Sequence, residues 1–191
     1  MTVVTRMRTV IVLPGHLRIH FAPKCASAAI NSGVHGSGYH PAFPDDEGPE
    51  PRFMAVRHPL DRIVSAWAFF CDDEKNFISK QHSLQDLGYK FKMTFEEFLP
   101  ICLRWHYKNA HTRKQIVFAG PYHIDYLVNL ENLDNVWGEL QKKIPLLKPM
   151  NRSHVSVHKP WEEYYSNESR SYAEDVFRED VELFERANSI I

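Results

Sequence analysis

The chain has little cysteine: Cys25, Cys71 and Cys102 are the three in 191 residues, an odd number with no CxxC spacing. That excludes a disulfide framework and a paired-thiolate zinc site, and it fits a reducing compartment. Charge of one sign is missing too. Lys and Arg total 23 against 24 Asp and Glu, a formal net charge of −1. A generally basic nucleic-acid binder is excluded, so any polyanion must meet locally concentrated charge. No long apolar run opens the chain. Thr9 to Leu13 ends at Pro14-Gly15, too short for a signal h-region or a membrane span. A soluble, cytoplasmic protein with no membrane insertion and no nucleic-acid partner is expected. GxxxxGK[ST] is absent, since no glycine lies between Gly15 and Gly33, which excludes a Walker A loop. No cluster of ligating residues stands out either, and no metal is expected.

What is present suits a globular domain: 43% apolar residues and 13% aromatic ones, enough for a core in a single unit over 1–191. Residues 1–16 read as an N-terminal extension. Leu17 to Phe21 alternates and reads as a strand, with a helix of small residues over Ser27 to Ser32. Residues 33–52 hold four glycines and four prolines and read as a surface loop. Phe53 to Val56 is a buried strand leading through Pro59 into a helix. Residues 72–93 are weakly patterned and read as a mobile loop or lid with a helical piece. Thr94-Phe95-Glu96-Glu97 is a capping box starting a helix to about Tyr107. A third strand over Ile124 to Leu130, a helix over Asp134 to Lys143, and a proline-bounded loop from Pro145 to Pro160 follow. A terminal helix over Ser169 to Ala187, with stripe Tyr172, Val176, Phe177, Val181 and Phe184, ends the chain. Strands alternating with helices predict a three-layer α/β domain with a mainly parallel central sheet.

Two segments carry chemistry. Pro23-Lys24-Cys25-Ala26-Ser27-Ala28-Ala29 joins a strand to a helix, with one lysine and small side chains that let backbone N–H groups approach an anion. In Phe53 to Trp67, Arg57 ends a strand while Arg62 and Ser65 share a helix face, a second place for a phosphate. An ordinary pairing of these arginines with Asp61 or Glu74 is the competing reading. A phosphatase loop fails, because Asn31 stands six residues after Cys25 where an arginine is needed.

Taken together, the two segments resemble the family of sulfotransferases that use 3′-phosphoadenosine 5′-phosphosulfate (PAPS), particularly its carbohydrate-modifying branch. Pro23, Lys24 and Ser27 match its 5′-phosphosulfate loop, with Ala28 and Ala29 where hydroxyls are usual. Val56, Arg57, Pro59, Arg62, Ser65 and Trp67 match its 3′-phosphate motif, with His58 replacing an acidic or amide residue. Similarity continues loosely through His111 to Gln115, Ile124 to Leu133, Trp161 to Tyr165 and Asp180.

The resemblance implies a P-loop NTPase-like fold, PAPS as donor, adenosine 3′,5′-bisphosphate as product, no metal, and a hydroxyl acceptor, most simply a glycan. Residues 23–29 with Arg57, Arg62 and Ser65 would hold the nucleotide. In-line sulfuryl transfer needs a cation at the breaking P–O–S oxygen, a role for Lys24, and a base for the acceptor. His40 is the first candidate base, His35 the next and His111 a weaker one. His111, Arg113 and Trp161 are candidate acceptor contacts. A tyrosine or small-molecule acceptor, a degenerate nucleotide- or polyanion-binding protein, and a kinase, which would need the missing Walker A loop, are the alternatives.

Overall fold

A computed structural model of the chain describes residues 10–35, 38, 40–42, 46–151 and 158–189. In chain order these give β1 (Val10–Leu13), β2 (Leu17–His20), α1 (Ser27–Val34), β3 (His40–Ala42), β4 (Arg52–Val56), α2 (Pro59–Trp67), α3 (Glu74–Gln85), α4 (Phe95–Trp105), α5 (Ile116–Ala119), β5 (Tyr126–Asn129), α6 (Leu133–Lys143), α7 (Asn167–Val176) and α8 (Arg178–Ser189). A π-helical turn over Ala68–Asp72 and 3-10 turns over His106–Lys108 and Trp161–Tyr164 complete them.

The apolar run Phe53-Met54-Ala55-Val56 has no polar alternation because both faces of β4 are covered. Successive side chains point to opposite sides. Phe53 and Ala55 pack with Ile30 and Val34 of α1 and with Trp137 and Leu140 of α6. Met54 and Val56 face Phe118 and Ala119 of α5 and Leu183 and Ala187 of α8. The layers are therefore helix, sheet, helix. A third cluster joins α2, α3, α4 and α7 around Ile63, Phe70, Phe98 and Phe177.

The sheet runs β3-β1-β2-β4-β5. β2, β4 and β5 pair in parallel, while β1 is antiparallel to both β2 and β3. Four strands thus point one way and β1 alone points back. This is a mixed α/β fold with a mostly parallel sheet flanked by helices, as expected.

Several expectations need correction. Val10–Leu13 is no extension: it is a buried sheet strand, joined to β2 by a hairpin in which Gly15 takes φ +73°. Apolar residues on a strand between two others are driven inward whatever their place in the chain. The 33–52 stretch carries β3, paired with β1. The 72–93 stretch is built around α3, whose Phe77 and Leu84 enter the helical core. The terminal helix is broken at Phe177, which caps α7 with φ −104° and ψ 24°. Tyr172, expected inward, is exposed. The capping box holds as read: Glu97 N donates to Thr94 Oγ1 at 3.3 Å and Thr94 N to Glu97 Oε2 at 2.9 Å. Among the described residues, no helix is long and apolar enough to cross a membrane.

Close approach of α1 and α6 rests on Gly33. A Cβ there would lie 2.6 Å from Cζ2 of Trp137 and 3.1 Å from the carbonyl of Lys148. Trp137 is itself held by its indole N–H on that carbonyl at 3.0 Å. Gly33→Ala gains about 1 kcal/mol of helix propensity, but overpacking costs about 1–3 kcal/mol. Net destabilisation near 1 kcal/mol is expected as a lower urea midpoint; a raised midpoint would show that Trp137 can move aside.

Candidate active site

The parallel strands β2 and β4 end side by side, and the crevice outside such strand ends is where open α/β sheets bind ligands. After β2 the chain turns tightly, with Cys25 N on the carbonyl of Ala22 at 3.2 Å. Lys24 takes φ +69° and Ala26 takes φ +56°, ψ +20°. Left-handed backbone costs a non-glycine residue about 1–2 kcal/mol. Such strain survives only where the surroundings hold it, and left-handed residues of this kind are a feature of turns that present successive N–H groups to an anion. Ser27, Ala28 and Ala29 follow as the first turn of α1, whose N–H groups have no acceptor within the helix.

After β4 comes Arg57, one turn before Asp61 and two before the buried Ser65. Arg57 Nε donates to Asp61 Oδ2 at 2.5 Å, and its terminal nitrogen lies 3.2 Å from Nε2 of His158. The Asp61 pairing weighed against an anion role therefore does form. It engages Nε and leaves the outer nitrogens of the fork directed elsewhere.

Arg62 has a different task from the phosphate contact expected of it. Only 1% of it is exposed. Its guanidinium donates to the carbonyls of Pro23 at 2.9 Å, Arg113 at 2.8 Å and Ala110 at 3.3 Å. A side chain so enclosed cannot reach a ligand. It ties the Lys24 loop and the 110–113 segment to α2.

A second tie escaped sequence reasoning. Gln115 is fully buried. Its Oε1 accepts the thiol proton of Cys25 at 2.9 Å and the N–H of Arg57 at 3.0 Å, while its Nε2 donates to the carbonyl of Arg57 at 2.8 Å. One amide joins the Lys24 loop to the end of β4. Behind it, the buried Asp180 of α8 accepts from Gln115 N at 2.7 Å and Ile116 N at 3.0 Å. Burial pushes its carboxyl above the usual range, against the pull of Arg62 and of these two N–H groups. Cys25, within the loop, is a packing residue: burial pushes its thiol up to about 11, far from the thiolate a nucleophile needs.

Lys24 lies in the crevice, its ammonium 4.3 Å from the ring centroid of Phe69 in the π-helical turn. Burial, then the nearby Arg57 guanidinium, lowers it to about 8. His111 stacks on the same Phe69 at 5.5 Å and meets Phe70 edge-on at 5.0 Å. Its backbone N–H is fixed by Oδ1 of Asn109 at 2.9 Å.

The other histidines are elsewhere. His40 is exposed on edge strand β3, in register with Val12 and through it with Arg18. Two strand spacings put it about 10 Å to the side of β2, level with Arg18 and short of the end from which Lys24 projects. His35 is exposed at the end of α1, the helix that leads away from the loop. Arg113 closes its own segment by donating twice to the carbonyl of Tyr107, at 3.1 and 2.7 Å. The Trp161 ring is covered by His58, stacked at 4.4 Å, with Tyr165 and Arg170 against it. It packs against the helical core.

A family model for the sulfotransferase family matches residues 49–185, most of the chain and all of the Arg57, Gln115 and Asp180 machinery. The chain belongs to the sulfotransferase family. Its activity class is therefore sulfuryl transfer. The matched span starts after the Lys24 loop, so the resemblance of residues 23–29 to a sulfotransferase phosphosulfate loop stands on those residues and their geometry. No curated protein and no solved structure matches the chain.

Two outcomes follow from this geometry. Asp180→Ala strands two buried N–H groups, each costing about 1–3 kcal/mol, so its urea midpoint should fall sharply. An unchanged midpoint would mean that water replaces the carboxylate. Lys24→Met should do the reverse. With its folded value near 8 below the unfolded 10.5, Lys24 binds fewer protons folded than unfolded between those values. Stability therefore rises with pH across that window, and the charged lysine opposes folding below it. Removing it should raise stability at pH 7 by up to about 3 kcal/mol and flatten that rise, measured by urea unfolding at pH 7 and pH 10.

Proposed function

We propose that the chain is a single P-loop-like α/β domain that moves a sulfuryl group from PAPS to a hydroxyl of a carbohydrate acceptor. What carries this reading is the joining of two cation-bearing strand ends, the Lys24 loop and Arg57, by the one Gln115 amide that bonds both Cys25 and the Arg57 backbone. Two separated positive sites suit a donor with phosphates at both ends. The loop from Pro23 to Ser27 and the first turn of α1, with Ala28 and Ala29, would hold the 5′-phosphosulfate through backbone N–H groups. Arg57 would hold the 3′-phosphate, while Ser65, like Arg62 only 1% exposed, is as enclosed as that side chain.

In the transfer step the S–O bond to the phosphate breaks as the acceptor oxygen bonds to sulfur. Negative charge collects on the leaving phosphate oxygen, where a positioned cation is most effective. Lys24 supplies that cation, and a lysine lowered to about 8 is a competent acid for the leaving group. The acceptor proton needs a base. His111 shares the Phe69 platform with Lys24 and is better supported for this role than His40 or His35.

Titration with adenosine 3′,5′-bisphosphate tests the donor site by calorimetry: binding at micromolar to millimolar ligand is expected, and none at millimolar would sink the reading. Binding without transfer from labelled donor to any glycan would favour a degenerate binding protein, and transfer to tyrosine or small phenols would move the acceptor class. Lys24→Ala should abolish transfer. His111→Ala should lower kcat about 10²–10⁴-fold with bisphosphate affinity within twofold, whereas His40→Ala should change neither. The acid must be protonated, so kcat/KM, which reports the free enzyme, should fall as pH rises through about 8. A flat profile from pH 7 to 9.5 would take the acid role from Lys24.

A further inference from the structure

Arg57 meets a residue that lies 101 positions away in the chain and outside either sequence motif. The Nδ1 of His158 is 2.8 Å from the carbonyl of Lys159, and its Nε2 is 3.2 Å from the terminal nitrogen of Arg57. A carbonyl only accepts, so Nδ1 carries the ring proton. Nε2 is then the bare nitrogen, and the guanidinium donates to it. On the other side, Asp61 Oδ1 is 3.8 Å from Nε2, while Oδ2 holds Nε of Arg57. Arg57 and His158 keep 15% and 9% of their side-chain surface open. They therefore form a wall that a ligand can reach.

We propose that His158 is a third ligand of the anion site at Arg57, and that binding of a phosphate ester there takes up a proton on the imidazole. The inference rests on the donor reading above. An anion placed against the outer fork of Arg57 replaces the hydrogen bond to Nε2. That nitrogen then faces negative charge, which favours the protonated ring with N–H groups at both positions. Histidine is the side chain whose charge changes readily near neutral pH. Asp61 makes a second cation tolerable beside the guanidinium, since its two oxygens face one each. Among the described residues, the other groups around the ring are Tyr164, with centroids 6.5 Å apart, and the exposed Lys159–Glu163 pair at 3.5 Å. That pair is internally balanced, so Arg57, Asp61 and the ligand set the charge of His158.

The test is calorimetry of adenosine 3′,5′-bisphosphate with the full chain and with His158→Gln at pH 6, 7 and 8, each in two buffers of different ionisation enthalpy. Glutamine can still accept from Arg57 through its carbonyl oxygen but cannot become charged. Protonation of the ligand's own phosphates is common to both proteins and cancels in the ratio of affinities. The unsubstituted chain should bind about tenfold more tightly than the variant at pH 6, the effect of a one-unit linked shift, and about equally at pH 8. It should also take up a fraction of a proton that the variant does not. A ratio constant across pH, with equal proton uptake, overturns the role of His158 and leaves the donor site standing. Failure of both proteins to bind at any pH overturns the donor site, and this inference with it.

Discussion

The side-chain amide of Gln115 is the constraint on which the site depends. Two loops that each gather positive charge must sit against one another with no ligand between them, and repulsion between Lys24 and Arg57 works against that. Burial and Arg57 lower Lys24 to about 8. The amide opposes the separation with neutral contacts only, to the thiol of Cys25 and to both backbone groups of Arg57. A neutral crosslink adds rigidity without adding charge. Arg62 is a second crosslink, but it is spent wholly on carbonyl oxygens. Of three basic side chains in the two motifs, one holds the frame together and two face the crevice.

That frame extends to the far end of the chain. The break at Phe177 turns α8 so that Asp180 meets the N–H groups of Gln115 and Ile116, and α8 also covers the Met54 and Val56 face of β4. The same helix thus completes the core and fixes the residue that fixes the loops. Packing and preorganisation are one construction here. A loosened α8 would be felt at the crevice before the sheet itself gave way.

Much of this was legible in the sequence, for physical reasons. The run Phe53–Val56 announced a strand covered on both faces, and the Thr94 capping box announced a helix start, because both signals are local. Val10–Leu13 was equally readable: four apolar, mostly β-branched residues run into Pro14-Gly15, a hairpin signal, yet their place near the terminus suggested an appendage. Arg62 was not readable, since spacing puts it on the face of Ser65 but cannot say that three carbonyls enclose it. His40 is a candidate base through the family likeness of its interval, and that likeness does not fix where the residue sits in the sheet. β3 adds to the sheet on the far side of β1 and carries that histidine away from Lys24. Gln115, Asp180 and His158 act across separations of 58 to 101 residues. Only the fold reveals such pairings.

The two alanines of the first loop take on a different meaning in this light. Hydroxyls at 28 and 29 would add donors to an anion, and their loss looks like a weakening. Yet Lys24 and Ala26 hold left-handed backbone, a local cost that persists because Arg62 and Gln115 tie the loop in place. Hydrogen bonds from backbone do not depend on side-chain identity, and small residues allow the closest approach. Ala29 is buried against the sheet with Ile30, where a hydroxyl would need a partner of its own. Ala28 is exposed and leaves the first turn of α1 uncovered. On the proposed donor reading the loop would offer an anion backbone N–H groups rather than side-chain donors, in the conformation that Arg62 and Gln115 impose.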